Sequence, residues 1–167
     1  MIELELVGVR VEMPSSQPLV LLKERHGPRH LPIWIGTAEA TAIAMAQQGV
    51  VPPRPMTHDL LCDVIAALGR AVAGVAITAV EDSTFFAQLT FDDGTIVGSR
   101  ASDALAVALR TNARIWCAED VMDEASVHIT EHDEVEPDPL TSPEADEREL
   151  RRFRAFLDDV EPEDFDS

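Results

Sequence analysis

Apolar and polar residues alternate along IELELVGVRVE at 2–12, which is the period of a half-buried strand. The apolar phase runs through Leu4 and Leu6 and then jumps to Val7, Val9 and Val11, so a bulge is expected at Gly8. After a Pro/Ser turn at 14–18, LVLLKE predicts a second strand and His30 to Ile35 a third, with His26-Gly27-Pro28 turning between them. From Thr37 the period becomes helical. AEATAIAMAQQ is rich in helix formers, stops at Gly49, and carries alanines suited to close packing. The prolines of VVPPRPM at 50–56 then forbid a helix and leave an extended, stiff loop. A second helix is expected from Thr57 to Gly69, with Leu60, Leu61, Val64, Ile65 and Leu68 forming one apolar stripe.

Alternation returns at 71–80 and 84–91, where Phe85, Ala87, Leu89 and Phe91 share a face and a Glu-Asp-Ser turn makes a hairpin. Asp93-Gly94 is a tight-turn dipeptide leading to a short strand at 95–98, which completes a meander. Ser102 is placed to cap a third helix, DALAVALRT, followed by a short strand at Arg114 to Cys117 and a helical turn at Glu119 to Met122. The expected fold class is α+β: a mixed, mainly antiparallel sheet with about three helices, in a domain covering 1–129. TEHDEVEPDPLTSPEADE at 130–147 has the composition of a mobile acidic linker. Leu150, Phe153, Leu157 and Val160 recur at helical spacing opposite Arg151, Arg152 and Arg154, so an amphipathic helix is expected over 148–160 and a disordered tail over 161–167. So short a helix is marginal alone, which predicts docking on the domain, a second subunit or a protein partner.

Composition narrows the function classes. With 167 residues, 46% of them hydrophobic, there is material for one core but not for a multidomain machine. A net charge of -18 argues against coating nucleic acid or anionic membrane by bulk attraction. The charge is uneven, however: residues 1–116 hold 12 acids and 9 bases, a balance of -3, whereas 117–167 hold 19 acids and 4 bases, a balance of -15. Local contact between the domain and a polyanion therefore stays open. No apolar run approaches the roughly 18 residues of a membrane span. Cys62 and Cys117 have no CxxC partner, and Met1 leads into a charged alternating segment, so a reduced, cytoplasmic protein is expected.

Three helices are expected to begin with a hydroxyl and an acid: Thr37 with Glu39, Thr57 with Asp59, and Ser102 with Asp103. Capping alone accounts for such pairs, since hydroxyls satisfy orphan amides and acids complement the helix dipole. Arg54 and His58 join the second set and Arg100 the third, which adds groups that phosphodiester chemistry can use. Carboxylates such as Asp59 and Asp103 can hold Mg2+ or Mn2+, arginine can neutralise phosphate, and His58 can shuttle a proton near neutral pH. There is no P-loop, HExxH or dinucleotide glycine fingerprint.

LPIWIGTAEATAIA at 31–44, RPMTHDLL at 54–61 and SRASDALAVALR at 99–110, in that order and spacing, resemble the three hallmark blocks of the bifunctional nuclease domain family over roughly 1–129. The resemblance implies an α+β domain that self-associates and a nuclease acting on RNA and DNA. Carried over, the implied catalytic groups are Glu39, His58, Asp59 and Asp103, with Arg54, Thr57, Arg100 and Ser102 at the phosphate. The family usually reads Asp, one residue, Arg-Pro-Ser-Asp; here Gly98 stands for the first Asp and Ala101 for the Pro. The alternative is a non-catalytic, oligomeric interaction or regulatory module whose hallmark residues serve fold and subunit packing. Elsewhere, His26 and His30 with Arg25 and Arg29 read as an exposed hairpin rather than a phosphate patch. Trp34 and Trp116 read as core or subunit packing rather than base-stacking groups. The acidic linker reads as a solubilising segment or, alternatively, a competitor for a basic cleft.

Overall fold

Two antiparallel meanders meet at a strand inserted between them. In a computed structural model, which describes residues 1–129, β1 (Ile2–Glu12), β2 (Gln17–Glu24) and β3 (Arg29–Trp34) form the first meander. β4 (Val72–Glu81), β5 (Thr84–Phe91) and β6 (Ile96–Arg100) form the second. β7 (Arg114–Cys117) joins them, antiparallel to β1 and parallel to β4, and β8 (Val127–His128) adds to β3. The eight-stranded order is β6-β5-β4-β7-β1-β2-β3-β8, so β6 is an edge. The expected bulge lies where pairing with β2 slips between Leu6 and Gly8, leaving Val7 as the extra residue.

The helices are α1 (Thr37–Gln47), α2 (Thr57–Ala67), α3 (Ala101–Thr111) and α4 (Glu119–Ala125), and with the sheet they make the α+β fold that the patterning predicts. α3 is the central one. Ala101, Ala104, Leu105, Ala106, Val107 and Ala108 are all buried, because short side chains let it lie close to α1, α2, β4 and β5. Leu22, Leu31, Ile43, Ile77 and Met122 complete the core. Met1–His128 form one unit, and the described residues contain no helix long and apolar enough to cross a membrane.

α2 forms where the pattern predicts it, but its apolar stripe is mostly uncovered. Of its stripe only Ile65 is buried; Leu60, Leu61, Val64 and Leu68 are exposed, Leu68 at 75%. The proline-rich loop carries α2 off the sheet onto α3, so one residue in the stripe meets the core and the rest face outward. The turn expected at Glu119 to Met122 continues to Ala125, and β8 was not expected. The linker at 130–147, the amphipathic helix at 148–160, His132 and the tail lie outside the described residues.

Candidate functional site

The N-caps sit one residue earlier than the hydroxyls of Thr37 and Thr57 suggest, and two earlier than that of Ser102. The N-caps are Gly36, Met56 and Arg100, none with a side-chain cap bond, so Thr37 and Thr57 are first helical residues and Ser102 is the second. This corrects the expectation of three hydroxyl caps. The acids, displaced into the first turns, are free to bond elsewhere. Ser102 is buried within α3 and Thr57 is exposed.

What converges is a chain of four side chains from three helix starts. His58 Nε2 lies 2.9 Å from Asp103 Oδ1. Arg100 grips the same aspartate with two bonds, Nε to Oδ2 at 2.7 Å and Nη2 to Oδ1 at 3.0 Å. Its Nη2 also reaches Glu39 Oε1 at 2.9 Å. Edge strand β6 ends in Arg100, which is 65% exposed, whereas His58 and Glu39 are 14% and 17% exposed. The arrangement is an exposed guanidinium backed by shielded groups. Burial works to raise the Asp103 carboxyl, but the bonds from Arg100 and His58 outweigh it and hold the carboxyl below its ordinary range. The carboxylates in turn raise the Arg100 pKa. An ionised Asp103 can only accept, so the bonded His58 Nε2 carries the proton, and in the neutral ring Nδ1 is left as the base.

Gly36 positions Glu39. Its φ of -74° is open to any residue, but a Cβ there would strike the Glu39 carboxylate. Glycine at the end of PIWIG therefore leaves room for Glu39 to fold back beneath Arg100.

Asp59 belongs to a different pair. Its Oδ1 takes the Arg110 Nε at 2.6 Å and its Oδ2 takes the Met56 N–H at 2.9 Å. Those bonds, Arg110 first, lower the Asp59 pKa. Arg110 also donates to the Ala106 carbonyl and lies at 12% exposure beside a cavity of about 360 Å³ lined by Val50, Pro52, Pro55 and Asp63. Arg54 is exposed in the proline loop and makes no bond to the four-residue chain. Sequence spacing did contain a signal for Arg110: it follows Asp103 by seven residues, two turns along one helix face.

The donor set does not fit a metal held by Asp59 and Asp103. Each carboxylate is committed to its own arginine, Asp103 to Arg100 and Asp59 to Arg110. No three His, Cys, Asp or Glu side chains among the described residues converge as a ligand group.

Other candidates resolve simply. Arg25 pairs with Glu3 and Glu5, and Arg29 with Glu24 and Asp123, so the hairpin is ion-paired rather than a free basic patch. Trp34 is 44% exposed and Trp116 half-buried, so neither is a core residue, and of the expected core or subunit packing only the core half is corrected. His128 lies in β8. The Ser99 hydroxyl, next to Arg100, is buried without a partner among the described residues.

Comparison with known proteins agrees with the hallmark blocks. The model of the bifunctional nuclease domain matches residues 20–130, more than half of the chain and all three helix starts, while β1 precedes it. Two proteins of Mycobacterium tuberculosis, "Uncharacterized protein MT1877" of strain CDC 1551 / Oshkosh and "Uncharacterized protein Rv1829" of strain ATCC 25618 / H37Rv, are each 48% identical over 163 residues. The alignments cover 98% of this chain and 97% of each relative. The chain belongs to the bifunctional nuclease domain family.

Proposed function

We propose that the chain is a nuclease that hydrolyses phosphodiester bonds of RNA or DNA. The observation that carries this is the meeting of Glu39, His58, Arg100 and Asp103 in one hydrogen-bonded chain at an exposed sheet edge. Arg100 is exposed and keeps its Nη1 free of the bonds to Asp103 and Glu39, so that nitrogen can donate to the phosphoryl oxygens as charge develops on them. Asp103 orients the His58 ring through Nε2, and Nδ1 takes the proton from the attacking water as the new P–O bond forms and the bond to the departing sugar oxygen breaks, that oxygen taking a proton from solvent. Glu39 shares Arg100 and fixes the direction of its fork. Asp59, tied to Arg110, acts structurally, and no step is routed through a metal because the carboxylates do not form a donor set.

A second reading has its own observation. The exposed Leu60, Leu61, Val64 and Leu68 face of α2 suits burial against a second copy, consistent with a self-associating, non-catalytic module in which the carboxylates only satisfy arginines. The two readings separate in one assay. Purified chain and its His58→Ala variant are incubated with labelled single-stranded RNA and DNA, with and without EDTA. Cleavage that survives EDTA and falls about 100- to 10,000-fold in the variant supports the nuclease. No cleavage by the wild type, in either buffer or with added Mn2+, favours the module.

A further inference from the structure

Among the described residues, the densest run of exposed apolar side chains lies on α2 and just before it. Leu60, Leu61, Val64 and Leu68 form a ridge along the helix, and Val51 and Met56 carry it into the proline loop. Contiguous apolar ridges of this kind mark interaction surfaces. Leu61, Val64 and Leu68 stand one above another at spacings of three and four, through which two helices can interdigitate. The ridge also has a charge direction. Asp63 is exposed one turn from Leu60, whereas Arg70, half-exposed and bonded to Asp93, follows the end of the helix.

The sequence supplies an occupant of matching pattern. Past the described residues, Leu150, Phe153 and Leu157 repeat the spacing of Leu61, Val64 and Leu68, and Val160 extends it. As a helix, Leu150 to Val160 would run about 15 Å, against about 12 Å from Leu60 to Leu68. Its charges complement those of α2: Arg148, Arg151, Arg152 and Arg154 lead, and Asp158 and Asp159 follow. Laid parallel to α2, the arginines meet the border that holds Asp63 and the aspartates approach Arg70. An antiparallel alignment would set like charges together.

Reach is sufficient. Twenty residues separate Ile129 from Leu150, enough for about 66 Å of extended chain. α2 lies on α3, which packs on β4 and β5, and β8 stands five strand spacings from β4, about 24 Å. A second copy of the ridge is a poorer occupant, because two-fold pairing about Val64 would bring the two Asp63 carboxylates to one border.

We infer that the α2 ridge is the docking surface for residues 148–160, packed as a helix parallel to α2 with its arginines toward Asp63. None of Glu39, His58, Arg100 and Asp103 takes part, so the inference stands whether or not the chain hydrolyses phosphodiesters.

Hydrogen exchange of the full chain, read by mass spectrometry, tests this without an activity assay. Val64→Glu alters an exposed position and should speed exchange across 148–160 about tenfold or more. Phe153→Glu, which leaves the domain's own residues untouched, should speed exchange in α2 but not in α1 or α3. Asp63→Arg should speed exchange across 148–160 about threefold at low salt, with the difference narrowing at high salt. Unchanged exchange across 148–160 in Val64→Glu, or in α2 in Phe153→Glu, would overturn the docking. So would α2 protection that is lost on dilution equally in the wild type and Phe153→Glu, the result expected if the ridge pairs with that of a second copy. Unchanged exchange in Asp63→Arg would overturn the parallel alignment.

Discussion

Arg100 and Arg110 flank α3, and each grips an aspartate through its Nε, Asp103 at 2.7 Å and Asp59 at 2.6 Å. The chemistry is the same and the settings are opposite. Arg110 is 12% exposed, shares its donors with a helix carbonyl and an aspartate, and stitches α2 to α3. Arg100 is 65% exposed at an edge strand, and its aspartate also holds an imidazole. An enclosed ion pair is spent on holding two helices together. An exposed guanidinium that holds its partners through Nε and Nη2 keeps Nη1 for an anion. Exposure and the third partner distinguish the two ends, which residue type and spacing could not.

The largest effect should come from His58. Removing its ring with His58→Ala should lower cleavage about 100- to 10,000-fold, with circular dichroism unchanged. At the other end, Arg110→Ala should leave cleavage per folded molecule intact and cost about 2 kcal/mol of stability, because it strands the partly buried Asp59 carboxylate. Chemical denaturation measures this directly. If Arg110→Ala lost activity and kept stability, the assignment of the two ends would be reversed.

These contrasts were only partly legible in the sequence. Strands and helices were, because alternation in IELELVGVRVE and in 84–91, and the small residues of α3, report burial on one face. The α2 stripe was legible as a helix face, but an amphipathic pattern does not record what covers that face. The caps were read one residue late at Thr37 and Thr57 and two late at Ser102, because a hydroxyl in the first turn looks like a cap in sequence. Glu39, His58, Arg100 and Asp103 were legible only as four of eight candidates, beside Arg54, Thr57, Asp59 and Ser102; which of them bond, and the transfer of Asp59 to Arg110, depend on tertiary packing. Gly36 was invisible as a positioning residue because its need is close approach rather than positive φ.

A smaller effect is expected with pH. Asp59 has its folded pKa held below the unfolded value of about 3.9. Its pairing therefore stabilises the chain fully above that unfolded value, and the stabilisation is lost as pH falls through the lower folded one. Tm plotted from pH 5 downward should fall in the wild type, and Asp59→Asn should flatten that limb after starting lower. An unchanged slope would place the acid sensitivity elsewhere.

Arg100→Ala should raise KM and cost about 1 to 2 kcal/mol of stability, since it leaves the partly buried Asp103 and Glu39 carboxylates, 28% and 17% exposed, without their arginine. The smallest effect concerns Gly98. The position is exposed, has open space around it and does not occupy the left-handed region, so Gly98→Asp, which restores the family's usual residue, should change stability by about 0.5 kcal/mol or less. A large loss of Tm would mean that the bare strand beside Arg100 is needed by the fold itself.

The most direct test of the contrast between the two ends is kcat/KM for one labelled oligonucleotide, measured side by side for the wild type, His58→Ala and Arg110→Ala at equal folded concentration. The account predicts a fall of about 100-fold or more in His58→Ala and near wild-type turnover in Arg110→Ala. Equal rates for His58→Ala and wild type, or a collapse confined to Arg110→Ala, would contradict it.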